Sequence, residues 1–180
     1  MKKLFLILTL ILFIFAVSGC AGDEGDYSCP EGMVVATSEA VDYYFFCPDT
    51  WRIDRTDGMI SAVAGFDPAT GLGKATVSGT DFKVANDITN EKQYVESILP
   101  EYEKTMTDFV LLDNGTDTIA SGEYPRLTYT ATLGGVEYKH SQVFIYNAGR
   151  IYILTYTAKT ADYDTYSSDF DSIVESFRGK

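Results

Sequence analysis

Between residues 108 and 156 the sequence returns again and again to short runs of β-forming residues separated by turn residues. Asn114-Gly115, Gly134-Gly135 and Asn147-Ala148-Gly149 each offer residues that tolerate the left-handed backbone of a tight hairpin. Leu127, Tyr129, Ala131 and Leu133 alternate with Arg126, Thr128, Thr130 and Thr132, the period of a strand with one buried face. Further strands are expected at residues 137–146 and 150–156. Tight turns join only antiparallel neighbours, so this stretch should fold as an antiparallel meander.

Upstream, strands are expected at residues 33–36, 41–47, 51–54, 59–66 and 74–84, with Pro48-Asp49, Asp57-Gly58 and the loop 67–73 between them. Asn90 is placed to cap a helix whose apolar residues are Tyr94, Val95, Ile98, Tyr102 and Met106. Pro100 falls inside that pattern and predicts a kink or two short helices. A second helix is expected at the C-terminal end. There Tyr163, Tyr166, Phe170, Ile173, Val174 and Phe177 form a stripe opposite Asp162, Asp164, Asp169, Asp171 and Glu175. The fold class is therefore α+β: a meander-rich antiparallel sheet with flanking helices, including an amphipathic one at the C-terminal end.

The first residues have a different character. Met1-Lys2-Lys3 is followed by an apolar run, 4–17, interrupted only by Thr9, and then by Val17-Ser18-Gly19-Cys20. Fourteen apolar residues fall short of the roughly 20 that span a bilayer. Charged, apolar and small-plus-cysteine segments in that order read as a lipoprotein export signal, with residues 1–19 removed and Cys20 lipidated. An ordinary signal peptide or signal anchor with an incidental cysteine is the alternative. A diacylglycerol on Cys20 would place two acyl chains in the membrane, enough for stable anchoring. Residues 20–28 then form the lipidated cysteine and an acidic, flexible tether, and residues 29–180 a single domain. The expected localisation is extracytoplasmic, on a cell-membrane lipid anchor.

The formal charge is −12, and removal of Lys2 and Lys3 with the leader takes it to −14. Such a surface repels phosphate backbones and anionic headgroups, so no nucleic-acid partner is expected and the membrane link must come from the anchor. Cys29 and Cys47 remain, without the close-spaced companions of a zinc site. Outside the cytoplasm such thiols tend to pair, so a Cys29–Cys47 disulfide is expected, with two free buried thiols as the alternative.

The aromatic strand Tyr43-Tyr44-Phe45-Phe46-Cys47-Pro48-Asp49-Thr50-Trp51 and the run Gly149-Arg150-Ile151-Tyr152-Ile153-Leu154-Thr155-Tyr156-Thr157-Ala158, leading into Phe170-Asp171-Ser172-Ile173-Val174-Glu175-Ser176-Phe177, resemble the PsbP-like proteins, whose fold is shared with DcrB-type bacterial lipoproteins. The resemblance covers residues 41–178. It implies an antiparallel sheet flanked by helices and a non-catalytic protein-binding or assembly role. Its plant members dock on the lumenal face of photosystem II through a charged N-terminal segment that has no counterpart in this tether. Family members have been linked to calcium or manganese, but no matching ligand set stands in this chain.

The loop GFDPATGLGK, residues 65–74, lacks the first glycine of a phosphate-binding loop, where Pro68 stands, and has Ala75 where a Mg²⁺-binding hydroxyl belongs. His140 is the single histidine and sits between Lys139 and Ser141 on an expected strand, as a face residue. Asp54 with Asp57, or Asp113-Asn114-Gly115-Thr116-Asp117, offer oxygens to Ca²⁺ but lack the ligand spacing of an EF-hand, and solvated turns are the favoured reading. Tyr43 and Tyr44 are adjacent and must point to opposite faces of their strand, so some rings reach the surface. They either form a binding face or simply cover the edges of the sheet. No cofactor, metal site or enzymatic activity is expected. The expected function is a binding or assembly module for a membrane-proximal protein or envelope component; a small-ligand or Ca²⁺-type cation-binding lipoprotein is the alternative.

Overall fold

The structure, a computed structural model, describes residues 27–56, 58–119 and 122–180. Its elements run β1 (Met33–Ala36), β2 (Tyr43–Pro48), β3 (Arg52–Asp54), β4 (Ile60–Ala64), β5 (Ala75–Lys83), α1 (Glu91–Thr105), β6 (Thr107–Ile119), β7 (Gly122–Leu133), β8 (Val136–Asn147), β9 (Arg150–Lys159), α2 (Tyr163–Ser176) and β10 (Arg178–Gly179). Seven strands form one antiparallel sheet in the order β3-β4-β5-β9-β8-β7-β6, and β1-β2-β10 form a small second sheet. The class is α+β, mostly antiparallel sheet with helices against it. No helix among the described residues is long and apolar enough to cross a membrane.

Two of the expected turns close as two-residue hairpins. Leu133 pairs with Val136 around Gly134 and Gly135, at φ 60° and 79°, and Asn147 pairs with Arg150 around Ala148 and Gly149, at φ 48° and 81°. Positive φ at both central positions matches the right-handed twist of the strands they join.

Asn114-Gly115 is not a turn. Both residues lie inside β6, Asn114 opposite Leu127 and Gly115 opposite Arg126, and the ladder continues to Ile119 opposite Gly122. Gly115 keeps an ordinary strand backbone, because uninterrupted pairing with β7 satisfies more backbone groups than a hairpin there would. Irregular register between Thr107 and Val110, and again between Leu111 and Asp113, marks where β6 bulges instead.

Helix α1 begins as expected: the Asn90 side chain accepts a hydrogen bond from the Gln93 amide at 3.0 Å. It does not divide at Pro100, which sits within one continuous helix. An interior proline costs about 3 kcal/mol through a lost hydrogen bond and a clash. Tyr94 and Val95 before it, and Ile98, Leu99 and Tyr102 around it, pack on the same sheet face and offset that cost.

The alternation in β7 suggested one buried face, yet the middle of the sheet is covered on both. One face carries Leu127, Tyr129, Phe144, Ile151 and Ile153 beneath α1. The other carries Val77, Val143, Leu154 and Tyr156 beneath α2 and the small sheet. Residues 141–145 and 151–154 are accordingly buried without a break. Helix α2 contributes Tyr163, Phe170, Ile173 and Val174 to that second layer. After it the chain adds β10 to the free side of β2, with Arg178 opposite Tyr44.

Candidate functional site

An open groove of about 640 Å³ lies where the start of α1 faces the β6–β7 hairpin. Asn90, Glu91, Lys92, Glu96, Thr116 and Glu123 are among its lining residues. Part of its polar chemistry is committed to structure. Asn90 caps its helix, and Glu91 accepts a hydrogen bond from the Tyr146 amide at 3.2 Å. No group of three His, Cys, Asp or Glu side chains among the described residues is arranged to hold a metal ion.

The acidic candidates do not converge. Asp54 lies on β3, where it accepts a hydrogen bond from the Thr56 hydroxyl, and Asp57 is outside the described residues. Residues 113–117 are extended strand rather than a loop able to wrap a cation, and Asp117 pairs with Arg126 at 3.2 Å. In the loop once compared with a phosphate site, Asp67 accepts from the Ala69 amide at 2.9 Å and the Thr70 hydroxyl at 3.0 Å. That loop is closed by its own aspartate.

His140 lies on β8, half-buried, stacked on Tyr129 with ring centroids 4.9 Å apart, and Nδ1 hydrogen-bonds the Thr157 hydroxyl at 2.9 Å. Burial holds its pKa below the ordinary imidazole value. This is a packed face residue, in keeping with its place in the sequence.

The expected Cys29–Cys47 disulfide is not formed. Cys47 is a free thiol, fully buried beside Tyr43 and Phe45 on the inward face of β2, and burial raises its pKa to about 12. The alternation of β2 turns Cys47 into the core. Cys20 lies outside the described residues.

Two features were not legible in full from the sequence. Arg126 is a junction: Nη1 meets Asp117, Nη2 meets Asp171 at 2.6 Å, Nε donates to Ser141 Oγ at 2.9 Å, and the guanidinium lies 4.9 Å from the Phe170 ring centroid. Its partners stand 9, 45, 15 and 44 positions away and become neighbours only through the topology. The second is an aromatic cluster on the outer face of β2. Tyr44 and Phe46 stand 5.7 Å apart there, and Tyr27 packs on Tyr44 at 4.6 Å. Alternation in residues 43–47 did predict the inward and outward pair; the contribution of Tyr27 was not legible.

With this geometry the domain can be compared with known structures. CyanoP, the cyanobacterial PsbP of Synechocystis, aligns with a TM-score of 0.57 over 89% of this chain and 99% of its own, at 14% identity. The chain has the fold of PsbP. LpqN, involved in cell envelope biogenesis of Mycobacterium tuberculosis, aligns with a TM-score of 0.53 over 84% of this chain and 86% of its own, at 17% identity. A Pseudomonas aeruginosa protein of unknown function aligns with a TM-score of 0.57 over 79% and 94%, at 20% identity. No family model matches the sequence, and no curated protein matches it. The PsbP resemblance seen in residues 41–178 is thus matched at the level of fold.

Proposed function

We propose that this chain is a non-enzymatic lipoprotein, held outside the cytoplasm by a diacylglycerol on Cys20, whose PsbP-fold domain binds a membrane-proximal protein or envelope component. The carrying observation is Val17-Ser18-Gly19-Cys20 at the end of an apolar leader, seven residues ahead of Tyr27, where the described fold begins. Anchor and body are thus joined by a short acidic tether. The shared fold with LpqN, an envelope-biogenesis protein, is in keeping with that address, though fold by itself is a weak warrant for function. Within the PsbP fold we place the chain with the DcrB-type lipoproteins, on residues 43–51 and 149–158. The polar junctions are built into the fold: Arg126 is held by Asp117, Asp171 and Ser141, and Arg150 pairs with Asp81 and Asp42 while its buried Nε keeps no hydrogen-bond partner.

Cell fractionation tests the anchor. Wild-type protein should stay with membranes through a high-salt wash and leave with detergent, while Cys20→Ala should accumulate as unprocessed precursor. A wild-type protein released by salt alone would refute the reading. Crosslinking in intact cells tests the partner. A second reading, a small-ligand module, is favoured by the groove of about 640 Å³, which lies in the usual range of ligand sites. It predicts no stable crosslinked partner and a melting temperature that rises with ligand.

A further inference from the structure

Strand β2 sorts its aromatic residues by face. Tyr43 and Phe45 are fully buried in the core, whereas Tyr44 and Phe46 point the other way and are half-buried. Tyr27, itself half-buried, completes the outer cluster through its 4.6 Å contact with Tyr44. Val35, opposite Phe46 on β1, is buried beside them and extends the apolar character of the patch inward.

Arg178 borders this patch, and Lys180 and Arg55 lie at the β1–β2 connection, on a molecule that is otherwise strongly negative. Arg178 lies opposite Tyr44 and is exposed, with Nη1 donating to the carbonyls of Glu175 and Phe177 at 2.8 and 2.7 Å. Lys180 Nζ donates to the carbonyls of Ser38 and Val41 at 2.7 and 3.0 Å, and Arg55 Nε to that of Thr37 at 2.7 Å. Among the described residues no carboxylate forms an ion pair with any of the three. In sequence, Asp54 adjoins Arg55 and Glu175 stands three residues before Arg178.

The covalent chain limits where this patch can be. A fully extended chain spans at most about 3.5 Å per residue, so an acylated Cys20 keeps Tyr27 within about 25 Å of the bilayer. The tether therefore ends in the aromatic cluster itself. Tethering also raises the effective concentration of the patch at the membrane to roughly millimolar, so contacts too weak to recruit a free protein suffice to orient an anchored one. Tyrosine rings settle at the headgroup level, where an apolar body and a polar tip are both satisfied, and arginine and lysine stems reach from there to lipid phosphates.

We propose that Tyr27, Tyr44 and Phe46 form a membrane-interface dock, inserting into the headgroup–acyl boundary of the bilayer that holds Cys20 and so fixing which face the domain turns outward. This rests on the anchor reading above. At a mature net charge of −14 most of the surface is repelled by anionic lipid, which favours approach through the patch beside Arg178.

The test uses the full mature chain in vesicles of phosphatidylcholine with a minority of phosphatidylglycerol, with Phe46→Trp and, separately, Tyr27→Trp as reporters. The native Trp51, 5% exposed in the core, is the internal control. With brominated phosphatidylcholine, each reporter variant should lose about half of its added emission, as expected for a ring at the interface, while wild-type emission is unchanged. Intact mass of the same samples reports acylation. Acylated protein whose reporters are quenched no more than Trp51 would overturn the dock and leave the anchor standing. A mass without acyl groups would overturn the anchor and the dock with it. Should Phe46→Trp fail to fold, Tyr27→Trp decides alone.

Discussion

Gly79 on β5 lies against the ring of Tyr43, whose hydroxyl donates to the Gly79 carbonyl. A Cβ at that position would stand 2.7 Å from Tyr43 Cε2, and the ring is fully buried and cannot swing aside. Gly79→Ala should therefore destabilise by about 1–3 kcal/mol, the usual cost of overpacking, read as a lower urea midpoint with an unchanged slope. A midpoint equal to wild type would mean that the close approach is not a constraint. Cys47 makes a sharper prediction. Its thiol needs water to ionise, and burial pushes its pKa up to about 12. At pH 8 its thiolate population is lower by roughly three orders of magnitude than that of a free cysteine near 8.5. A peptide map after iodoacetamide should find Cys47 unmodified in native protein and fully modified in guanidinium. Labelling in the native state would contradict a core position. The local pattern of residues 43–47 already told inward from outward side chains. It did not tell which inward cysteine could reach a partner, since that depends on strands folded far along the chain.

At the scale of elements, hydrophobic period and turn chemistry carried most of the fold. The hairpins at Gly134-Gly135 and at Ala148-Gly149, the Asn90 cap and, to within two residues at each end, the strands β1 to β5 were legible locally. The misreadings share one cause, tertiary context overruling a local signal. Asn114-Gly115 has the composition of a turn but is held straight by cross-strand pairing through Ile119. Pro100 breaks isolated helices, yet α1 continues through it because residues on either side bury against one sheet. The pairing of β5 with β9, more than 60 residues apart, left no trace in local pattern. Arg126 shows how elements are tied once folded, joining the β6–β7 hairpin to β8 and α2. Arg126→Met keeps much of the stem while removing both ion pairs and the donor to Ser141. The expected loss is about 1–2 kcal/mol, discounted because Asp171 is largely in water. Part of that loss should disappear when wild type and variant are compared at high salt. A variant as stable as wild type at low salt would show the junction to be incidental.

The whole molecule is a sheet covered on both faces, with a third, aromatic surface left on the outside of the small sheet. Helix α1 takes one side of the large sheet, α2 and β1-β2-β10 take the other, and Tyr27, Tyr44 and Phe46 remain outward. PsbP and LpqN share the fold of this chain at 14% and 17% identity, so the fold tolerates extensive sequence replacement. What distinguishes a given member is therefore its surface and its attachment. Here the surface is strongly acidic, and the proposed attachment is at Cys20, the residue that follows the leader. The body's fold was legible from repeated local patterns; the groove beside α1 was not, since its walls come from elements that meet only in three dimensions. The account stands or falls on Cys20. Intact mass spectrometry of the protein extracted from membranes should find a chain beginning at Cys20 and carrying a diacylglycerol. A native polypeptide that retains Met1, or one that begins elsewhere without acyl groups, would contradict it.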